Sequence, residues 1–273
     1  MNKQKIMVVS ALCALMSITA GLSHEFWLFP SSFFPQVGKP VPVSINVGEN
    51  YEGERWGGGN RRVQRLRLIT PKGEQNLTAS ISQSDSLVEI KPLILKDGGT
   101  QMITLETNNS FIELEANKFL EYLKEDGLDN AVAYRREHKE TTKKGREQYR
   151  RCAKTLLQAG NVYAANVTKS SGMAMEIVPL QNPYSLPKGS LLTCQVLYEN
   201  RPLKNALVRC WRRVNGKTEL EFKRSDAAGN ATFDLPKKGN AAYMISVVTM
   251  VRLTHNPKAD WQSTWGSLTF GMK

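Results

Sequence analysis

Most of the chain alternates between short apolar runs and turn residues, and this pattern constrains the fold more than any other feature. In the N-terminal half the apolar runs are residues 41–47, 63–69, 87–90 and 102–105, and Gly, Pro, Asn and Asp separate them. Runs of this length between turn residues are typical of antiparallel strands. The sequence therefore predicts a β-sandwich in this half.

The strand pattern returns after a polar linker at residues 161–172 and continues to the end of the sequence. Its apolar runs are residues 175–178, 191–198, 207–214 and 243–251. This spacing is typical of an Ig-like or transthyretin-like sandwich. Folding the first hairpin about position 202 would place Cys194 opposite Cys210 on adjacent strands.

A helical period separates the two strand-rich parts. Phe119, Tyr122 and Leu123 fit one face of a helix that ends near Gly127. A second helix ending at Gly160 would carry Tyr149, Cys152, Ala153 and Leu156 on one face, with residues 135–144 as an exposed helix end and loop before it. We therefore predict a mainly β fold with two Ig-like or transthyretin-like β-sandwich domains, residues 24–172 and 173–273, and a helical insertion at about 114–160 in the first.

Residues 1–23 have the pattern of a signal peptide. Lys3 and Lys5 precede an apolar run at residues 6–20, and the small residues Gly21 and Ser23 follow it. The mature chain is expected to start at His24 and to be periplasmic or secreted. Because no other segment approaches the roughly 20 apolar residues of a membrane span, we predict that the mature chain does not cross a membrane.

The mature chain is basic. Without Lys3 and Lys5 it keeps 35 basic and 25 acidic residues, a net charge of +10. The excess is concentrated at residues 61–67 and 135–154, where we expect a solvated surface that faces anionic envelope polymers or lipid headgroups. Arg150 and Lys154 could alternatively form an anion-binding helix face. No nucleic-acid-binding motif accompanies these charges, so no nucleic-acid partner is expected.

The sequence carries none of the catalytic motifs G-x-S-x-G, H-E-x-x-H or S-x-x-K with its companions. Only three histidines are present, and Cys152 falls on a predicted buried face where a thiol is inert. We therefore expect a protein that is not an enzyme and has no organic cofactor. Export into an oxidising compartment would allow a disulfide between Cys194 and Cys210.

Several segments resemble the exported DUF4198 proteins, which are grouped with the nickel-uptake accessory NikM type. The resemblance covers essentially the whole mature chain. It rests on residues 24–28, 38–48, 119–128, 145–157, 175–179, 189–208, 226–229 and 260–270, of which the last, DWQSTWGSLTF, is the most specific. The resemblance implies a periplasmic role in nickel or cobalt transport, with a membrane metal transporter or another envelope component as partner.

The candidate metal ligands are His24, His255 and Asp260. The α-amino nitrogen and ring Nδ1 of a mature N-terminal histidine can chelate one ion, and such nitrogen ligands favour Cu(II) or Ni(II). Family members often have a histidine before the methionine that closes the penultimate strand, but here Thr249 precedes Met250. His255 is therefore the candidate second imidazole, and Asp260 a further oxygen ligand. The alternative is that both histidines are solvated, as we expect for His138.

Three functions fit these observations. The first is a non-enzymatic exported protein that binds Ni, Co or Cu and assists in metal uptake. The second is an envelope module that binds carbohydrate or protein without a metal. The third is a copper oxidase of the histidine-brace kind that acts on polymers, for which a flat aromatic surface beside His24 would be expected.

Overall fold

The structure is a computed structural model that describes residues 25–84, 87–236 and 238–273. The predicted signal peptide and His24 lie outside the described residues. Strands account for about half of the described residues. Those of the N-terminal part, β1 to β11, are Glu25–Pro30, Pro40–Val41, Val43–Glu49, Glu52–Arg55, Val63–Thr70, Gly73–Asn76, Ile81–Ser84, Leu87–Ile90, Leu93–Ile94, Gly99–Thr107 and Ser110–Leu114.

Two helices follow, and strands then continue to the end of the chain. The helices are α1 (Ala116–Glu125) and α2 (Asp129–Glu137). The remaining strands, β12 to β20, are Gly145–Ala159, Met175–Pro179, Leu191–Tyr198, Arg201–Pro202, Leu207–Val214, Lys217–Arg224, Asn230–Asp234, Ala241–Arg252 and Trp261–Met272. The prediction of a mainly β protein is confirmed.

A nine-stranded sheet connects the two halves of the sequence. Its order is β17-β16-β19-β20-β12-β10-β5-β6. The ninth strand, β11, pairs with residues 145–149 of β12, next to the part of β12 that pairs with β10. The junction is the parallel pairing of β12 with β20, which extends from Glu147 opposite Trp261 to Thr155 opposite Thr269. Strands from both sides of the predicted boundary between residues 172 and 173 therefore belong to one sheet.

The central strands of this sheet are buried on both faces. In β12, Cys152 and Leu156 belong to a core shared with β13, β14 and β18, whereas Ala153 and Leu157 belong to a core shared with β1, β3 and β8. Successive side chains of a strand point to opposite faces, so alternate residues of β12 enter different cores. The result is a middle sheet covered by one β layer on each side.

β1 lies directly against β20. Ser267 Oγ donates a hydrogen bond to the Phe26 carbonyl at 2.6 Å, and Thr269 Oγ1 donates to the Leu28 carbonyl at 2.7 Å. On the opposite face of β20, a Cβ added at Gly266 would lie 2.4 Å from Met175 Cγ of β13. The glycine is therefore needed for the close approach of β13, and β20 is enclosed by both outer layers.

The helical segment is shorter than the sequence predicted. The first predicted helix is confirmed as α1, which buries Phe119, Tyr122 and Leu123. The second is wrong, because residues 145–159 form strand β12. A strand buried on both faces is apolar at nearly every position, so its residues also satisfy a helical spacing. The two helices pack on the ends of β19 and β20 through Val248, Met250 and Trp261.

The predicted pairing of the cysteine strands is also wrong. Cys194 lies on β14, which pairs with β13 and β18, whereas Cys210 lies on β16, which pairs with β17 and β19. Both cysteines face one core from different sheets, and Cys152, Cys194 and Cys210 are free and buried. Burial raises the pKa of the Cys152 and Cys194 thiols to about 12.

We expect all three thiols to be unreactive in the native protein and available after unfolding. Alkylation of the unreduced protein in denaturant should add three labels, whereas alkylation under native conditions should add none, because a thiol rather than a thiolate is present at each buried site. Intact mass spectrometry measures both numbers. A single label in denaturant would show instead that Cys194 and Cys210 are oxidised.

Neither α-helix of the described residues has the length and apolar character that crossing a bilayer requires.

Candidate functional site

The structure describes two of the three predicted metal ligands. His255 is exposed in the loop between β19 and β20, with a left-handed backbone (φ 62°). Both carboxylate oxygens of Asp260 accept hydrogen bonds from Arg146, from Nε and Nη2 at 2.9 Å each. Arg146 accordingly holds the pKa of Asp260 below its ordinary value. Asp260 therefore anchors β12 to the start of β20.

The loop that carries His255 lies far from the start of β1. β1 and β20 run in the same direction, since Phe26 contacts Ser267 and Leu28 contacts Thr269. By this register Glu25 lies beside Gly266, and β20 begins five residues earlier, at Trp261. Five residues of strand span roughly 16 Å, so the His255 loop lies about that far beyond the Glu25 end of this contact.

Buried carboxylates surround the first residue of β1. Glu25 and Asp126 are almost fully buried. Arg209 Nη1 contacts Asp126 Oδ1 at 2.8 Å, and the same guanidinium donates to the Glu125 carbonyl at the end of α1. Burial raises the pKa of Glu25 to about 8, although the positive charge of Arg209 opposes the shift. The start of β1 is therefore an acidic environment with little access for water.

A third buried carboxylate, Glu147 of β12, is near Asp126 but lies farther along the sheet from Glu25, since it is opposite Trp261. Glu147 Oε1 accepts hydrogen bonds from Tyr122 Oη at 3.2 Å and from Ser263 Oγ. Burial raises the pKa of Glu147 to about 7 against these two hydrogen bonds, and the charge of Asp126 adds to the rise. Trp265 packs beside these residues. It stacks on Tyr122 with ring centroids 6.1 Å apart, and it donates a hydrogen bond to Ser263 Oγ at 3.1 Å.

The strand register places one further carboxylate, that of Glu49, near Glu25. Glu25 is opposite Gly48 in the β1–β3 pair, and the next residue of β3 is Glu49. The charge of Glu49 contributes to the raised pKa of Glu25, which places it nearby. Among the described residues, no three His, Cys, Asp or Glu side chains are close enough together to hold a metal ion. A metal site at this position would therefore depend on His24.

The proposed anion-binding face on residues 146–154 is wrong, since these residues are in a strand. Lys154 is fully buried and paired with Glu176 of β13. Arg150 pairs with Glu199, and the Arg151 guanidinium lies 5.2 Å from the centroid of the Phe26 ring. His138 is exposed at the end of α2 and stacks on Tyr134.

Sequence reasoning missed the acidic residues at the start of β1. Glu25, Asp126 and Glu147 lie on β1, at the end of α1 and on β12, and only the packing of these three elements brings them to one region. Their spacing in the sequence carries no motif. The one available signal was Glu25, a charged residue directly before the apolar run Phe26–Leu28 of a predicted strand.

The fold and this acidic site define a mainly β protein with a small helical cap. The chain belongs to the family described as "Domain of unknown function (DUF4198)", whose profile matches residues 22–250. No curated protein sequence matches the chain.

Two solved structures are similar over most of the chain. One is the "D0-D1 domain of Intimin", at 10% identity and a TM-score of 0.20, covering 91% of this chain and 99% of the other. The second is a "tetra-tandem repeat in extending region of large adhesion protein", at 7% identity and a TM-score of 0.23, covering 91% of this chain and 49% of the other.

Proposed function

We propose that the exported protein binds a divalent transition-metal ion, Ni, Co or Cu, at its mature amino terminus, without catalysing a reaction. The observation that carries this proposal is the group of carboxyl side chains near the first residue of β1. Glu25 and Asp126 are buried there, and Glu49 follows the residue opposite Glu25. A cation bound at the adjacent residue, His24, would favour the ionised form of Glu25.

The donor set suits such an ion when the chain starts at His24. The α-amino group and Nδ1 of His24 would form the chelate, and Glu49 offers a carboxylate oxygen beside it. Asp260 is a poor candidate because Arg146 binds both of its oxygens. The register of β1 against β20 likewise favours a partner other than His255.

A role in metal uptake follows from this site and the family resemblance. A periplasmic or secreted binding protein would hold the ion and deliver it to a membrane metal transporter or another envelope component, as expected for the NikM type. The scaffold would be two Ig-like or transthyretin-like sandwiches, one around each of the two cores on either side of the nine-stranded sheet.

The test is a metal titration of exported protein whose N-terminal sequence starts at His24. Calorimetry with Ni(II), Co(II) and Cu(II) should detect one site for at least one ion. One additional residue before His24 converts the chelating amine into an amide, so we expect at least a hundredfold loss of affinity, as when a metal ligand is removed. Unchanged affinity of the extended protein, or a mature start at another residue, would overturn the proposal.

A matched pair of variants tests the carboxylate. Glu49→Gln should weaken metal binding about tenfold, because it removes a charged oxygen donor or an adjacent negative charge. Glu137→Gln, at the exposed end of α2, should leave affinity unchanged. His255→Ala and His138→Ala should also have no effect. A loss with His255→Ala would identify His255 as the second imidazole after all.

A further inference from the structure

Two adjacent cavities lie at the end of β20. A cavity of about 680 Å³ and another of about 560 Å³ share Phe34, Met272 and Lys273. We call the two cavities together the β20 groove. It extends from Tyr163, after β12, to Arg213, at the end of β16. It lies at the opposite end of β20 from the His255 loop.

The β20 groove is positively charged. Lys188, Arg213 and Lys273 line it, and the described lining residues of both cavities include neither Asp nor Glu. Lys188 and Lys273 are exposed, and the Lys273 ammonium lies 4.4 Å from the centroid of the Phe34 ring. The groove would therefore attract an anionic ligand, in agreement with the basic character of the whole mature chain.

Aromatic rings and side-chain amides supply the rest of the surface. Tyr163 is 53% exposed, and Phe34 packs edge-on against Tyr184 with centroids 5.3 Å apart. The exposed amides that line the groove are on Gln36, Asn161, Asn215 and Asn240. Rings offer flat apolar surface to the C–H faces of sugars, and amides hydrogen-bond hydroxyl groups, so this combination suits a saccharide.

Hydrogen bonds from buried residues hold the loop that carries Tyr163. Gln158 Nε2 donates to the carbonyls of Gly160 and Val162 at 2.8 and 3.1 Å, and Gln158 Oε1 accepts from Thr100 Oγ1 at 2.6 Å. Tyr184 Oη donates to the Leu156 carbonyl at 2.7 Å. These buried bonds fix the loop in one conformation, which lowers the entropy lost on binding.

We propose that the β20 groove binds a linear acidic polysaccharide. Its carboxylates would pair with Lys188 and Lys273, and its sugar rings would stack on Tyr163. The Arg213 guanidinium is bound to the Tyr51 carbonyl, and Lys273 covers the Phe34 ring. The length of the groove and its open surface suit a segment of polymer better than a small molecule. This site is separate from the start of β1 and does not depend on metal binding.

The test uses alginate oligosaccharides as the acidic probe, with neutral dextran and poly-glutamate as comparisons. Calorimetry on the mature protein should show that alginate binds, more weakly as salt is added, and that dextran does not. Equal binding of poly-glutamate would overturn the proposal in favour of an acidic peptide. The absence of alginate binding would overturn it directly.

Charge-matched variants distinguish binding in the β20 groove from non-specific attraction to the positive charge of the whole protein. Lys188→Glu should weaken alginate binding about tenfold, because it replaces a charge-assisted contact by repulsion. Lys118→Glu makes the same charge change on the exposed face of α1 and should stay within about twofold. Tyr163→Ala should weaken binding about threefold to tenfold through lost stacking. Equal effects of Lys188→Glu and Lys118→Glu would show non-specific attraction and overturn the proposal.

Discussion

Glu176→Gln is expected to lower the free energy of unfolding by about 3 to 5 kcal/mol, because it leaves the Lys154 ammonium buried without a counter-charge. Both side chains of this ion pair are fully buried between β12 and β13. Burial alone would lower the pKa of Lys154 and raise that of Glu176. Lys154 nevertheless holds the pKa of Glu176 below its ordinary value, so the native carboxyl is ionised.

The glutamine would also fit poorly in the polar surroundings of Glu176. Its carboxylate accepts hydrogen bonds from the Ser170 hydroxyl at 2.7 Å and from the Ser171 amide and hydroxyl at 2.8 and 2.7 Å. The Gly172 amide donates to it as well, at 3.1 Å. An amide nitrogen cannot accept from these donors, so at least one of them would lose its partner.

Urea and thermal unfolding of a matched set of variants measure this effect. Glu199→Gln removes the partner of Arg150 in a surface pair on the same strand and should cost less than about 1 kcal/mol. The double variant Lys154→Met/Glu176→Gln removes both charges and should recover much of the loss, because the glutamine oxygen still accepts from the Ser171 donors and no buried charge remains. A loss for Glu176→Gln no larger than that for Glu199→Gln would contradict the expectation.

The strand content was predictable because the alternation of apolar runs and turn residues directly reflects strands and their ends. β3, β5, β14, β16 and β19 all fall on predicted runs. Helix α1 was predictable for the same reason, since its buried residues Phe119, Tyr122 and Leu123 leave the opposite face polar. Where one face of an element is exposed, the period of the sequence identifies the element.

The joining of the two halves was not predictable from local pattern. It depends on the parallel pairing of β12 with β20, whose partners are 114 residues apart, as for Arg150 and Thr264. β12 itself lacks an exposed face over residues 152–159, so its period is ambiguous. Assigning β12 to a helix also removed the strand that links the two predicted sandwiches.

Only part of the candidate site could be predicted from the sequence, for a similar reason. The candidate role of His24 depends only on the cleavage site and the chemistry of a terminal histidine. The roles of the other charged residues depend on tertiary contacts: Asp260 is bound by Arg146, and Glu147 is buried beneath Tyr122 and Trp265. A charged residue in a sequence predicts exposure on average, and its burial becomes visible only when the packing is known.

The burial of Glu147 makes the stability of the folded protein depend on pH. We expect Glu147→Gln to be more stable than the unaltered protein by about 3 kcal/mol above pH 7, and to have about the same stability near pH 4. Glu147 Oε1 accepts from both Tyr122 and Ser263, and the carbonyl oxygen of glutamine can accept both bonds. The substitution therefore removes the charge and keeps the hydrogen bonds.

The sign follows from the pKa of about 7 in the folded protein, which is above the ordinary value. At a pH below both pKa values, the carboxyl is protonated in the folded and in the unfolded state. It then contributes nothing to the pH dependence of the free energy of unfolding. As the pH rises toward 7, the unfolded chain releases its proton while the folded protein retains it, and stability falls. Above pH 7 the folded protein carries a buried charge at constant cost, which the glutamine variant avoids.

Chemical unfolding of both proteins at intervals between pH 4 and 8.5 gives this difference directly, because titrations of all other groups cancel between them. Glu121→Gln, at an exposed position of α1, is the control and should show no pH-dependent difference. The midpoint of the Glu147→Gln difference should lie between the ordinary pKa of glutamate and about 7. A variant less stable than the unaltered protein at pH 8 would contradict this expectation.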